Sequence, residues 1–355
     1  MEKTDLYHIV TKGTLAPSAD NLQPWKFRLD KNQADLFLDP ERIKNFCDEG
    51  HFIPYLSVGA VIENMRVAAA GLGYSLSATY FPEKSNLLFA ASLRFSPVSK
   101  KGHPHYEALQ KRVTNRKFYQ TSRKIDISTY AKLEELAQSK KGFKLLWVKK
   151  EMPAYRKLGY LLGRSDQLRF ENRQLHQELM ATLRFNPADV QKTKDGLDLK
   201  TFETGAGGNL LFKLITSWKR MKFLNQFGLS ALFNLYAQLA IQSSQAIGLL
   251  TSKSDQPIDF ILGGELMEKI WHEITLQDLS IQPMEALPIF ILNFNLTGGR
   301  NFPDHQKKQL RSLKRDFLSL LQADEQNGLI LLFRIGYAPP PTAHSLRRPL
   351  EDFLI

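Results

Sequence analysis

Two short segments, about a hundred residues apart, carry side chains suited to binding a polar, phosphate-bearing ligand. Residues 17–25, with the sequence PSADNLQPW, place short polar side chains between two prolines that fix φ near the value of an extended turn. Residues 112–116, with the sequence RVTNR, place two guanidinium groups and a hydroxyl together, which is phosphate-binding chemistry. Taken singly, the first segment is also explained as a turn that caps a strand, and the second as a solvated basic run.

Alternating and helical patterns predict the elements that position these segments. Alternation from Trp25 onward predicts a half-buried strand that leaves the first segment. Apolar spacing predicts two central helices, one starting near Ser57 and closed by Gly71 and Gly73, the other over residues 262–274. Further strands are predicted at 34–38, 87–95, 143–148, 246–251, 289–294 and 329–335. The alternation of these strands with helices predicts a sheet covered on both faces.

The two segments together resemble motifs of the nitroreductase-like FMN flavoproteins. The string APSADNLQPW, residues 16–25, is similar to the FMN-contacting loop of that family, and RVTNRKF, residues 112–118, is similar to its Arg-x-Ser/Thr-x-Arg phosphate motif. In the family the arginine motif comes first, whereas here the order is reversed. The family is an obligate dimer with the flavin between subunits. One copy of each motif in a single chain therefore resembles the fused, twin-domain branch of the family.

Two segments of the second half extend the resemblance. The sequence LSIQPMEA, residues 279–286, is similar to the family's Pro-Ile-Glu-Gly segment, whose backbone N–H faces the flavin N5. Residues 344–349, HSLRRP, are similar to its closing basic segment, which returns to the FMN phosphate, and there Arg348 matches better than Arg347. Without the rest of the pattern, the arginine pair is equally explained as an exposed basic tail.

The resemblance implies an FMN-dependent oxidoreductase that uses NAD(P)H as a transient reductant to reduce a nitroaromatic or quinone. The alternative is a protein that sequesters FMN under a closed lid with little turnover. No catalytic side chain is predicted. Arg112, Thr114 and Arg348 are expected to hold the phosphate, Arg116 the pyrimidine edge, and the Glu285 backbone N–H the N5 atom. The full set of expected cofactor-binding residues is Pro17, Ser18, Ala19, Asn21, Gln23, Arg112, Thr114, Arg116, Pro283, Met284, Glu285, Arg347 and Arg348.

The implied fold is α+β, a three-layer α/β/α arrangement of two fused halves that form an intramolecular pseudo-dimer. Residues 1–100 would form the first half, with the Asn/Gln loop, and residues 101–355 the second, with the phosphate site. An insertion at about 170–240 combines large apolar residues with lysines after the glycine-rich stretch at 204–208. It is predicted to be a lid or a partner-facing helix pair, with a helix at the membrane surface as the weaker alternative.

Composition limits the remaining functions. Lys and Arg outnumber Asp and Glu by 48 to 36, for a formal charge of +12, but the basic residues are mostly dispersed, so neither nucleic-acid binding nor membrane contact is expected. Without an apolar leader at Met1 or an apolar run of eighteen residues, the chain is expected to be cytoplasmic. No metal site is predicted, since the pair His103 and His105 lacks a third ligand. Cys47, the single cysteine, is expected to be a small core residue, and a monomer is compatible with the internal pseudo-dimer.

Overall fold

The chain repeats one order of elements in two halves of unequal size. The computed structural model describes residues 1–43 and 46–355. The first half contains α1 (Lys3–Gly13), β1 (Trp25–Asp30), β2 (Gln33–Leu38), α2 (Phe52–Leu72), β3 (Tyr74–Tyr80) and β4 (Phe89–Pro97). Its strands form an antiparallel sheet in the order β1-β2-β4-β3.

The second half uses the same strand order with longer connections. Its elements are α3 (Tyr106–Lys111), α4 (Ile127–Gln138), β5 (Lys144–Lys149), α5 (Ala154–Glu171), α6 (Arg173–Thr182), β6 (Leu183–Arg184), α7 (Pro187–Thr193), β7 (Leu197–Asp198), α8 (Gly205–Leu214), α9 (Trp218–Asn225), α10 (Leu229–Gln242), β8 (Ala246–Ser252), α11 (Pro257–Leu276), β9 (Ser280–Pro283), α12 (Ala286–Thr297), α13 (Asp304–Leu321) and β10 (Gly328–Gly336). The sheet order β5-β8-β10-β9 matches that of the first half strand by strand. The predicted α+β class is confirmed.

The two halves meet where α2 crosses α11. Both helices are buried on most of their surface, as expected of helices that are apolar nearly all round. At the crossing, Gly59 and Gly264 face each other: a Cβ on Gly59 would lie 2.0 Å from the carbonyl oxygen of Ile261, and one on Gly264 would lie 2.0 Å from that of Leu56. Only glycine allows backbones to approach this closely.

The predicted insertion forms a helical module with its own small core. Helix α5 packs against α10, and the elements between them bury a separate apolar cluster. Members of this cluster include Phe170, Met180, Leu199, Phe212 and Met221. The glycine-rich stretch at 204–208 begins helix α8. The helices of the described chain include none that is long and apolar enough to cross a membrane.

Most of the predicted strands are confirmed, but one is wrong. Residues 289–294 lie in helix α12, not in a strand. A run of large apolar residues fits a buried strand and a buried helix equally well, because neither leaves a polar face. Cys47 is buried, and burial raises the pKa of its thiol, as expected of a core residue.

The C-terminal segment crosses back to the first half. Ile355 donates its backbone N–H to the carbonyl oxygen of Phe27 at 2.9 Å, and Phe353 packs on Trp25 with ring centroids 6.1 Å apart. This return brings residues 346–348 beside the loop that precedes β1.

Candidate functional site

The predicted Asn/Gln loop is a strained turn between α1 and β1. Asp20, Asn21 and Gln23 adopt positive φ values of 49°, 55° and 53°, which are uncommon for residues other than glycine. The hydroxyl of Ser18 accepts the backbone N–H of Gln23 at 2.9 Å and so holds the turn closed. Pro17 lies just before the turn, and Ala19 begins its single 3-10 turn. Backbone strain of this kind clusters at binding sites.

The amide side chains of this loop bind the C-terminal basic segment. Asn21 donates Nδ2–H to the carbonyl oxygen of Leu346 at 3.0 Å and accepts from Arg347 at 2.9 Å. Gln23, which is fully buried, accepts the backbone N–H of Arg348 through Oε1 at 2.9 Å. Two of the predicted segments, more than three hundred residues apart in sequence, are therefore joined in the structure.

Two arginines converge on one backbone oxygen at this junction. Arg112 and Arg347 donate to the carbonyl oxygen of Leu15 at 2.8 and 3.0 Å. Arg112 also lies 2.9 Å from Glu268 and 4.7 Å from the ring centre of Trp271. Burial, reinforced by the charge of Arg112, lowers the pKa of Arg347 to about 9. Arg112 and Arg347 therefore bring two positive charges together, of which the single carboxylate of Glu268 offsets one.

Arg348, which the sequence favoured over Arg347, points elsewhere. Its guanidinium pairs with Asp352 at 3.0 Å and stacks over Phe353 at 5.0 Å. The geometry thus gives Arg347 the position beside Arg112.

The sequence reasoning missed the buried polar group beneath the arginines. Glu268 and His272 are fully buried on α11, and Asn64 is fully buried on α2. Although burial alone would raise the pKa of Glu268, Arg112 and His272 hold it below its usual range. The available signal was the interruption of an apolar helix by charged residues, since carboxylates are rarely buried without a partner.

The other residues of the arginine motif contact the helical module and strand β9. Arg116 donates to the carbonyl oxygen of Thr201 at 3.3 Å and lies over the ring of Phe202, and burial lowers its pKa. Asn115, another residue the prediction missed, donates its backbone N–H to the Ile281 carbonyl oxygen at 3.0 Å. Thr114 is half-buried.

Residues 283–285 lie at the end of β9, next to the start of α12. Pro283 pairs with Phe333 of β10, and Met284 donates its N–H to the Leu332 carbonyl oxygen at 2.8 Å. Glu285 is the N-cap of α12, so the N–H groups that follow it lack partners inside the helix. Its Oε1 accepts from the Leu332 N–H at 2.7 Å, and burial raises the pKa of the carboxyl to about 8.

A strap of the helical module, residues 193–203, covers the junction. Gln23 donates Nε2–H to the Lys194 carbonyl oxygen at 2.8 Å, and the Gly196 N–H donates to the backbone carbonyl oxygen of Asn21 at 3.3 Å. Asp195 fixes the strap by pairing with Arg42 at 2.9 Å and with Arg184 at 2.6 Å. The helical module therefore contacts the Asn/Gln loop through this strap.

Comparisons with known proteins give partial likenesses. The chain is 25% identical over 341 residues to an uncharacterised protein of Mycobacterium tuberculosis (strain CDC 1551 / Oshkosh), which covers 94% of this chain and 46% of the relative. An 83-residue stretch is 36% identical to the provisionally named NAD(P)H nitroreductase acg of the same strain, covering 23% of this chain and 25% of that protein. The chain thus spans less than half the length of these relatives. No family model matches it.

Solved structures of similar fold include two nitroreductases. The FMN and NADPH-dependent nitroreductase NfnB from Sphigopyxis sp. strain HMH matches with a TM-score of 0.40 and 13% identity, over 70% of this chain and 97% of that one. The FMN-dependent nitroreductase NfnB from Mycobacterium smegmatis, in complex with NADPH, matches with a TM-score of 0.38 and 11% identity, over 70% and 96%.

Proposed function

We propose that the chain is an FMN-dependent oxidoreductase of the nitroreductase type, which uses NAD(P)H to reduce a small nitroaromatic or quinone acceptor by two electrons. The observation that carries this proposal is the convergence of Arg112 and Arg347 on the Leu15 carbonyl oxygen, with Glu268 as the only carboxylate in contact with Arg112 among the described residues. A phosphate dianion balances such a pair of adjacent cations. The local match to a nitroreductase adds support.

The donors at this position fit a flavin phosphate. Arg347 now donates to the neutral carbonyl oxygens of Thr14, Leu15 and Ala16. Charge-assisted hydrogen bonds to a phosphate are roughly twice as strong as bonds to neutral acceptors, so exchanging some of these contacts for phosphate oxygens is favourable. The Thr114 hydroxyl, in the same segment as Arg112, is a further donor.

The remaining predicted residues suit the isoalloxazine end. FMN, when bound, supplies the two-electron chemistry. The N–H groups at the start of α12, after Met284 and Glu285, are fixed backbone donors for a ring edge. Arg116 is a half-buried cation, which would stabilise negative charge added to a ring edge beside it. Burial raises the pKa of Glu285 to about 8, which favours the protonated carboxyl at neutral pH.

The repeated topology supports a pseudo-dimer within one chain. In this proposal the first half contributes the Asn/Gln loop and the second half contributes the arginines, β9 and the start of α12. Their shared strand order and the glycine crossing of α2 and α11 are what two fused subunits would keep.

One observation favours the sequestering alternative, in which FMN is held with little turnover. The strap at 193–203 binds the side-chain amide of Gln23 and the backbone carbonyl oxygen of Asn21, and it is itself fixed by two ion pairs of Asp195. A strap held this way restricts access of NAD(P)H and acceptor to a flavin beneath it.

The deciding experiment is the absorbance spectrum of the purified protein, followed by anaerobic titration with NADH and NADPH. A flavin spectrum that bleaches within seconds and recovers when a quinone is added supports the oxidoreductase. A flavin that stays oxidised with both nucleotides supports sequestration. Protein that neither retains FMN nor binds it when reconstituted contradicts both proposals.

A further inference from the structure

A second charged pocket lies where α2 and α11 pass β3 and the turn after α4. It has a volume of about 440 Å³, within the usual range of small-molecule sites. Its charged lining residues are Glu63, Arg66, Lys140, Glu265 and Lys269. None of them belongs to the sites predicted from sequence.

The two-fold relation between the halves makes this pocket the counterpart of the arginine site. The contacts of Gly59 and Gly264 are reciprocal. Gly59 meets Ile261, three positions before Gly264, and Gly264 meets Leu56, three positions before Gly59. Counting four residues on from these glycines gives Glu63 in one half and Glu268 in the other. The turn between α4 and β5, which contributes Lys140, likewise corresponds to the Asn/Gln loop between α1 and β1.

Neighbouring positions on the two helices also correspond. Five residues after Gly264 comes Lys269, which lies beside Glu63 of the other half. Five residues after Gly59 comes Asn64, which lies beside Glu268. Seven residues on, Arg66 takes the place that Trp271 has in the arginine site. Arg66 pairs with Glu63 at 3.1 Å, and Arg112 pairs with Glu268 at 2.9 Å. In the arginine site the cation therefore comes from a segment outside the helix, whereas in the second pocket it comes from helix α2 itself.

The charges of the pocket leave one cation in excess. Glu265 accepts from Arg66 at 3.1 Å, from Lys140 at 3.0 Å and from the Tyr80 hydroxyl. Within residues 1–43 and 46–355, no carboxylate lies within 4.0 Å of the Lys269 amine. Burial raises the pKa of Glu63, against the opposing effect of the Arg66 and Lys269 charges.

The charges of the pocket also act on a neighbouring histidine. The pKa of His103 is lowered to about 4, first by burial, then by His105 and His272, and to a smaller extent by Lys269 and Arg66. The field of Lys269 and Arg66 that disfavours a proton on His103 favours an anion in the pocket.

We propose that this pocket binds a small phosphate-bearing anion, held by Lys269 and Lys140 and supported by Arg66. Its position, equivalent to the phosphate end of the arginine site, and its excess cation favour a phosphate group over a neutral ligand. Because Arg66 occupies the place of Trp271, the pocket does not reproduce the arginine site and has its own specificity. The inference rests on the repeat and on the charges, and its choice of a phosphate group rests also on the FMN phosphate proposed for the arginine site.

Calorimetric titration of the full chain with inorganic phosphate tests the proposal, both as purified and after saturation with FMN. Wild type should bind one phosphate in the pocket under both conditions. Lys269→Gln and Lys140→Gln should each weaken binding about tenfold or more, because each removes a charge-assisted contact. Lys141→Gln is the matched control: it changes the same charge on the adjacent, exposed residue, which does not line the pocket.

The outcomes separate this pocket from the arginine site. Phosphate binding that Arg347→Gln abolishes and Lys269→Gln leaves intact would place the anion at the arginine site and overturn the inference. So would binding weakened equally by Lys141→Gln, or no phosphate binding by wild type. If Lys269→Gln fails to fold, Lys140→Gln, at a half-exposed position in a turn, still decides the question.

Discussion

Replacing Arg347 by glutamine should separate phosphate binding from ring binding. The lowering of the Arg347 pKa from its ordinary 12.5 to about 9 corresponds to roughly 5 kcal/mol of unfavourable free energy for the charged form. The residue is partly exposed, so solvent screening leaves a fraction of this. An FMN phosphate that recovers about 1.5–3 kcal/mol through one charge-assisted contact accounts for a ten- to hundredfold gain in affinity.

The assay is a fluorescence titration of the flavin-free protein with FMN and, in parallel, with riboflavin. Arg347→Gln should lose about ten- to a hundredfold in FMN affinity. It should lose much less for riboflavin, which has no phosphate. Arg348→Gln is the matched control, because the adjacent arginine pairs with Asp352 instead. Equal losses for both ligands, or a larger FMN loss in Arg348→Gln, would refute the assignment of Arg347 to the phosphate.

Three further predictions concern the crossing of the halves, the buried carboxyl and the strap. Gly264→Ala should destabilise the chain by about 3 kcal/mol or more in denaturant unfolding, since its Cβ meets a backbone oxygen, whereas Gly207→Ala, with open space around it, should be neutral or stabilising. Between about pH 5 and 8 the Glu285 carboxyl keeps its proton in the folded chain and loses it in the unfolded chain, so wild-type stability should fall as pH rises through this range. Glu285→Gln should flatten that fall. Parallel stability-versus-pH curves for wild type and variant would contradict the raised pKa. Asp195→Asn should speed flavin release about fivefold in a stopped-flow chase without changing the melting temperature much, and an unchanged release rate would argue against a covering strap.

The sequence predicts the sheets well because their strands have clear boundaries. The stretch from Trp25 to Asp30 alternates apolar and polar residues, and the β8 and β10 strands are short apolar runs rich in branched residues. Residues 289–294 have the same composition, but they lie in a helix that is buried over residues 286–293. Composition alone does not distinguish these two environments.

The site is only partly readable from sequence, because its contacts join distant segments. The local motifs identify Asn21, Gln23 and Arg112, but they do not show which distant residues lie beside these three in the fold. The choice between Arg347 and Arg348 depends on the direction in which the C-terminal segment returns, which two adjacent arginines do not reveal. Glu268 is hard to single out because it is one of several acidic residues on α11, and its role becomes clear only when its partner, Arg112, is placed beside it.

The repeat also bears on how many flavins the chain binds. If both halves had kept equivalent sites, the position of Trp271 would hold an aromatic residue in the first half as well, and a separate arginine segment would reach Glu63. Instead Arg66 stands at that position and pairs with Glu63 itself. Seating a whole flavin against α2 at the second site would break the Arg66–Glu63 pair, whose carboxylate is nearly fully buried, and leaving one buried charge without its partner costs about 3–5 kcal/mol. A small anion held by Lys269 and Lys140 leaves that pair intact. We therefore expect one tightly bound FMN per chain; release of two per chain, measured against protein mass, would show that the first half has kept a working flavin site despite Arg66.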